Sequence, residues 1–542
     1  MSGEHAGQHR HPNRPRKEKE TNMRTRGVHA ATRDRSVGLA LLGGLLALAC
    51  GRAPEPAASA SPTPPPVAQA APETVEPPEP APDPTPTPAG LAPVLKPWTG
   101  DLDGMVKRRL VRVLTVQNPI LYFVDKGREM GATYEAVEAF EKHLNQKLGN
   151  ELTGVHVILM PVARDELLPR LLAGQGDIAA AVLTITGERR QQVDFSEPIA
   201  RDIAEVLVTG PDTPPVASLD ELSGREVYVR MSSSFAEHLR ALNEGFRAAG
   251  KPPVKLTAAD ETLESGDILE MVNAGLVPAT VVDSFIADLY TQVFPGLRKN
   301  SDVAVSTGGE IAWAFRKGSP RLAEAVNGFL RTHKQGSLAG NVLINKYLKT
   351  TKWVKNARSD EDMKRFRSMI DLFRKYSDRY KFDYLLMAAQ GYQESQLDQS
   401  KRSHVGAIGV MQVMPATARD KAVNIPDIEK LESNIHAGIK YNRWVVDNFY
   451  NDPAINPANR QLFAFASYNA GPGKVSRLRK EAAAQGLDPN RWFNNVELIA
   501  AKRIGRETVQ YVSNISKYYL AYQMVLQQSK ARQTAKQAAA GR

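Results

Sequence analysis

The chain of 542 residues holds a single cysteine, Cys50, which excludes an intrachain disulfide framework and any cysteine-rich zinc or iron–sulfur site. Its ten histidines form no HExxH motif and no close ligand pair in the folded stretches, so no metal centre is expected. Neither a Walker loop nor a Rossmann glycine fingerprint occurs, and no cofactor is implied. Long apolar runs are also lacking. The run Val37–Ala49 spans thirteen residues, too short to cross a bilayer as a stable helix, which excludes a multi-span protein. The formal charge of +11 is less than it looks: nine Lys/Arg against four Asp/Glu in residues 1–36 account for +5 of it. The remaining +6 is spread over some 500 residues without a concentrated basic face, so nucleic acid is not an expected partner. What is present is a globular composition, 42% hydrophobic and 24% charged, long enough for two to four domains.

The apolar run follows a basic segment with Arg24, Arg26, Arg33 and Arg35, the layout of an export signal. It closes on Leu48-Ala49-Cys50-Gly51, and small residues before a cysteine in this position resemble the lipobox of bacterial lipoproteins. That resemblance implies cleavage before Cys50, acylation of Cys50, and a lipid membrane as partner. Gly51 replaces the aspartate often linked to inner-membrane retention, which favours the periplasmic face of an outer membrane. From Gly51 to Pro97 the chain carries 16 of its 36 prolines. Such a segment lacks backbone donors and cannot build a core, so it is expected to act as a semi-rigid tether. Residues 1–50 are thus a basic leader with a lipoprotein signal, and 51–98 a disordered linker.

Residues 99–350 alternate short apolar runs with helical periodicity. Val111–Val116, Val155–Met160 and Asp177–Thr184 read as strands, with Tyr134, Val137, Phe140, Leu144 and Leu148 at helical spacing between the first two. A second round runs through Glu226–Val229 and Ala279–Val282, then returns through Glu310–Phe315 to a helix at Pro320–Arg331. This is the pattern of two α/β lobes joined by crossing strands, with a ligand cleft at the strand ends. The stretch Thr184-Ile185-Thr186-Gly187-Glu188-Arg189, followed by Val193-Asp194-Phe195-Ser196-Glu197-Pro198, resembles the family-3 periplasmic solute-binding proteins. The resemblance implies that Arg189 grips a ligand α-carboxylate, that Thr184 adds a hydroxyl contact, and that Asp283 receives an α-ammonium. Asp283 before Ser284 is equally good helix-capping chemistry. Ser232–Ser234 could offer backbone N–H groups to an anion. The ligand stays open between amino acid, peptide and muropeptide.

Beyond Lys349 the pattern turns helical, over residues 355–528, with a basic tail at 529–542 expected to be disordered. Four motifs occur in order: Gln393-Glu394-Ser395; Ser403 followed by Gly406-Ala407-Ile408-Gly409-Val410-Met411-Gln412; Ser467-Tyr468-Asn469-Ala470-Gly471; and Glu507-Thr508 with Tyr511-Val512. Together they resemble the lytic transglycosylases, a lysozyme-like family acting on peptidoglycan. The expected fold class is therefore multidomain: an α/β two-lobed binding-protein fold followed by an all-α lysozyme-like domain.

Breaking a glycosidic bond needs a carboxylic acid that is still protonated near neutral pH. Glu394 comes late on the apolar helix Tyr384–Leu397, where burial and the negative end of the helix dipole both raise its pKa. Gly406 and Gly409 would let backbone approach a sugar chain, Met411 would offer an apolar face, and Gln412 can donate and accept. The resemblance further implies that Ser403 helps place Glu394 or the substrate's acetamido group, that Tyr468 and Asn469 line central subsites, and that Tyr511 sits near the acid. Glu507 reads as structural. No second carboxylate is identifiable, and Asp398 lies one turn beyond Glu394 only if the helix persists. The family's solution is intramolecular: the N-acetyl group of N-acetylmuramic acid assists at C1, and that sugar's C6 hydroxyl closes a 1,6-anhydro ring. The expectation is a lipid-anchored cell-envelope lytic transglycosylase with a solute-binding domain. A hydrolytic muramidase and a non-catalytic glycan- and solute-binding lipoprotein are its rivals.

Overall fold

The computed structural model describes residues 92–541 apart from 126–127, 150–152 and 357–359. The leader, Cys50 and most of the proline-rich linker lie outside the described residues.

Apolar runs of five or six residues become buried strands in the first half. The strands are β1 (Leu110–Thr115), the hairpin β2 (Phe123–Asp125) and β3 (Arg128–Met130), β4 (His156–Pro161), β5 (Ile178–Thr184), β6 (Asp194–Phe195), β7 (Ala200–Thr209), β8 (Glu226–Val229), β9 (Lys255–Ala258), β10 (Ala279–Asp283) and β11 (Arg298–Phe315). The main sheet has the order β10-β7-β11-β5-β1-β4, with β6 on β11. β1 is parallel to β4 and β5, whereas β11 runs antiparallel to β5 and β7. The return strand is longer than the sequence suggests. β11 starts at Arg298 beside the end of β7 and finishes at Phe315 beside β5, shifting register several times on the way. It is thus a crossing strand between the two lobes. The second lobe adds the parallel pair β8–β9, and the Thr280 hydroxyl of β10 donates to the Tyr228 carbonyl of β8.

Among the described residues the second half contains no strand, only isolated bridges that tie Ile408 to Arg402 and Val413. At its centre the helix Tyr384–Ser395 buries every residue from Leu385 to Tyr392, as expected of a helix apolar on all sides. Asp383 caps it by accepting from the Leu385 and Leu386 N–H groups at 2.9 and 3.2 Å. It stops two residues earlier than Tyr384–Leu397, because Gln396 and Leu397 both adopt φ of +61°. Asp398 therefore does not lie one helical turn beyond Glu394. Its exposed carboxylate instead accepts from the Ser400 N–H and hydroxyl.

The last helix, Arg506–Ala540, corrects the expectation of a disordered tail over 529–542: it is continuous to Ala540. Its basic residues are held by the first half's own acids. Lys536 pairs with Asp267 at 2.6 Å and Glu270 at 3.1 Å, and Arg532 lies 3.4 Å from Asp267. Ala535 is buried with Tyr228, Leu263, Ile268 and Met271. Earlier on the same helix Lys517 meets Glu141 at 2.6 Å and Ser513 meets His156 at 3.0 Å. Arg109 forks onto Glu497 at 2.8 and 3.0 Å, and Glu497 is only 1% exposed. Removing Arg109 would strand a buried charge, a loss on the order of 3–5 kcal/mol.

Candidate active site

The last helix clamps the Tyr384–Ser395 helix at both ends. The Tyr519 hydroxyl donates to the capping Asp383 at 2.9 Å, and the Tyr511 hydroxyl donates to Glu394 Oε1. Behind Tyr511 the fully buried Gln390 donates to its hydroxyl at 3.2 Å, and Asn442 donates to Gln390 at 2.8 Å. Glu394 is half-buried, and burial pushes its carboxyl up to about 7 against lowering contributions from the Tyr511 hydrogen bond and Lys401. Desolvation thus dominates, with a lysine nearby: Lys401 Nζ donates to the Glu394 carbonyl at 3.2 Å. The site can hold a proton near neutrality and release it to an acceptor. Burial beside Glu394 likewise raises the phenols of Tyr468 and Tyr511 well above their ordinary value, so both remain hydrogen-bond donors.

The loop that follows is pinned from below. The buried Asn434 accepts from the Met411 N–H at 2.8 Å and donates to the carbonyls of Ile408 and Ile428. Ser395 donates to the Val410 carbonyl at 2.9 Å, and Tyr468 to the Met411 carbonyl at 2.7 Å. Met411 itself is fully buried, against Gly438, so its side chain is part of the core and offers no face to a sugar. Gly409, at φ +76°, is needed for internal packing, since a Cβ there would lie 2.5 Å from Gln399 and 2.7 Å from Asn434. Gly406, at φ +89°, faces open space. Ser403 is half-buried and accepts the Ala407 N–H at 2.9 Å, and Gln412 folds back onto the Gly409 carbonyl at 2.8 Å. Asn469 is exposed and accepts from Thr508 at 2.6 Å. Glu507 lies exposed in the first turn of the last helix.

Glu394, Tyr511 and Tyr468 are therefore brought together, with Met411 contributing only its backbone. Sequence reasoning passed over Gln390, Asn434 and Asn442. Gln390 had a readable signal: it is the polar residue of the otherwise apolar run Leu385–Tyr392, one turn before Glu394.

The first half carries a second site, a cavity of about 210 Å3 between its lobes lined by Thr184, Arg189, Arg164, Arg230, Glu264 and Asp283, among others. Arg189 is buried, donating to the Thr184 carbonyl at 3.1 Å and the Ser232 carbonyl at 3.2 Å, and pairing with Glu237 at 3.0 Å. Ser232 is likewise engaged by the protein, its N–H and hydroxyl both donating to Glu261. Asp283 is not a side-chain cap, and its buried Oδ1 has no hydrogen-bond partner. Burial, then the neighbouring Glu205, pushes its carboxyl up to about 7, against the three arginines nearby.

Among the described residues no cluster of His, Cys, Asp and Glu could hold a metal ion, and no helix is long and apolar enough to cross a membrane. Residues 371–489 match the family model described as transglycosylase SLT domain, and residues 111–350 that of bacterial extracellular solute-binding proteins, family 3. The chain is 31% identical over 438 residues to a membrane-bound lytic murein transglycosylase F of Desulfosudis oleivorans, covering 77% of this chain and 90% of that protein. It is 28% identical over 451 residues to one of Pseudomonas fluorescens, covering 79% and 87%. An ancestral arginine-binding protein bound to arginine is similar in structure, at 27% identity and a TM-score of 0.37 over 44% of this chain and 98% of that one.

Proposed function

Because the chain belongs to the membrane-bound lytic murein transglycosylase F family, we propose that Glu394 carries out both proton transfers of its reaction. The protein is a lyase that cleaves the β-1,4 bond between N-acetylmuramic acid and N-acetylglucosamine in peptidoglycan and leaves 1,6-anhydro ends. In the proposed sequence Glu394 gives its proton to the glycosidic oxygen as the C1–O4 bond breaks, while the acetamido group of the muramyl sugar assists at C1. The carboxylate then takes the proton of the same sugar's C6 hydroxyl, whose oxygen bonds to C1. Glu394 ends protonated and no water is consumed. Holding the C6 hydroxyl on the reacting sugar replaces a bimolecular attack by an intramolecular one.

The observation that carries this reading is Glu394 held at about 7 by burial with a tyrosine hydroxyl aimed at its oxygen. Asp398 is exposed and turned to Ser400, and Glu507 is exposed, so neither offers the paired carboxylate of a hydrolase. Tyr511 would orient Glu394 and steady its anionic form. Tyr468, Asn469, Ser403 and Gln412 would contact the sugars, and Met411 would position the Tyr468 hydroxyl through its carbonyl. Mass spectrometry of digested peptidoglycan tests the reaction: anhydro ends are expected, and reducing ends would identify a hydrolytic muramidase.

The first domain would take an amino acid, peptide or muropeptide between Arg189 and Asp283, with Thr184 alongside. The last helix offers a route for regulation, since Tyr511 and Arg532 lie on it about 30 Å apart. Arg532 donates to the Gln117 carbonyl of one lobe and lies against Thr262 and Asp267 of the other. Cleavage rates of the full chain with and without muropeptides, and in Arg189→Gln, test it: unchanged rates would reject regulation. Acylation of Cys50 would anchor the enzyme in the cell envelope, at the periplasmic face of the outer membrane. Release of Cys50→Ala from membranes checks the anchor.

A further inference from the structure

A further cavity among the described residues, of about 640 Å3, belongs to neither site above. It lies between the helix Ala132–Leu148 with β4 on one wall and the last helix on the other. Tyr518 and Tyr522 lie beside Glu129 and Tyr134, and Lys517 meets Glu141. The two helices therefore pass in opposite senses, which carries Arg506, three turns before Lys517, toward Gln146 and Gly149.

The groove carries charges of both signs: Lys517 pairs with Glu141 between its ends, Lys142 lines the same wall, and the remaining acids and Arg506 lie toward opposite ends. One end has the carboxylates of Glu129 and Glu138 with the rings of Tyr134 and Tyr518, a combination suited to an ammonium group. Glu129 is buried, which pushes its carboxyl up to about 7, and it accepts from Tyr122 at 2.6 Å, so the exposed Glu138 is the principal anion at this end. The other end has Arg506 with the amides of Gln146 and Gln510, a carboxylate-binding set. Glu138 and Arg506 both line the cavity. The ends lie about 12 Å apart along the helix Ala132–Leu148, from Glu138 to Gln146, and about 18 Å apart along the last helix, from Tyr518 to Arg506. An extended peptide of four residues spans about 13 Å.

We propose that this groove binds a short zwitterionic peptide, its free amino group at Glu129 and Glu138 and its free carboxylate at Arg506. The site is distinct from the Arg189 cleft and independent of the cleavage chemistry. Its walls come from both halves of the chain, so a bound peptide bridges them.

Calorimetric titration of tetra-L-alanine into the full chain carrying Arg189→Gln, which silences the first-domain cleft, is the test. Binding is expected, weakened about five-fold by either Glu138→Gln or Arg506→Gln, and lost for N-acetyl-tetra-alanine amide, which lacks both terminal charges. Both substitutions are of exposed residues, and unchanged circular dichroism confirms that the fold is kept. Absence of binding, equal binding of the capped peptide, or affinity unmoved by both substitutions would overturn the assignment.

Discussion

Glu394 in the helical half and Asp283 in the α/β half are both pushed up to about 7, and burial is the largest cause for each. Their surroundings differ in kind. Glu394 sits among tyrosines and amides, with Lys401 the cation acting on it among the described residues, and a phenol is already bonded to its oxygen. Asp283 is surrounded by full charges, Glu205 raising it and Arg164, Arg230 and Arg189 lowering it, and its Oδ1 is unpartnered. Under the proposed function the first environment would store a proton for transfer, and the second would take a charged group of a ligand. Equal upward shifts would thus accompany unequal proposed roles, which the neighbours distinguish.

Exchanging each carboxyl for its amide should separate the two most strongly. Glu394→Gln is expected to lower glycan cleavage on the order of 10³-fold while glycan still binds, whereas Asp283→Asn leaves the product chemistry intact and abolishes small-ligand binding. Digestion assays with pull-down on peptidoglycan, and calorimetry on the first domain's ligand, read the two outcomes.

Stability should follow the same carboxyl. A glutamate whose pKa is raised from 4.5 to about 7 favours the folded state below pH 4.5, and that contribution is lost as pH rises through 7. Glu394→Gln removes the penalty, so chemical denaturation should find it more stable than the parent at pH 8 than at pH 4, by up to about 3 kcal/mol. Tyr511→Phe is expected to cost about ten-fold in kcat with little change in KM. It should also move the alkaline limb of the pH profile upward, because the lost hydrogen bond lowers Glu394. The smallest effect concerns the binding half. Glu237 now holds Arg189 as a ligand carboxylate would, so Glu237→Gln should tighten binding of polar L-amino acids about three-fold. Unchanged affinity would show that Glu237 does not compete.

Much of this arrangement was legible in the sequence because it rests on local pattern. The apolar run before Glu394, the strand ends at Thr184 and Asp283, and the four ordered motifs of the helical half all signal through spacing. What escaped depends on contacts distant in sequence. Gly409 and Met411 read as substrate contacts, but Asn434, Gln399 and Gly438, which pack against them, come from elsewhere in the chain. The basic tail looked unpartnered because Asp267 and Glu270 precede it by more than 260 residues. The saturation of Arg189 by Glu237 and Ser232 was hidden for the same reason.

Direct titration of the Glu394 carboxyl, by infrared difference spectroscopy between the parent chain and Glu394→Gln, tests the proton-storage assignment most immediately. A midpoint near pH 7 is expected. A midpoint at the ordinary glutamate value of about 4.3 would contradict it, because no proton would then remain for the glycosidic oxygen at neutral pH.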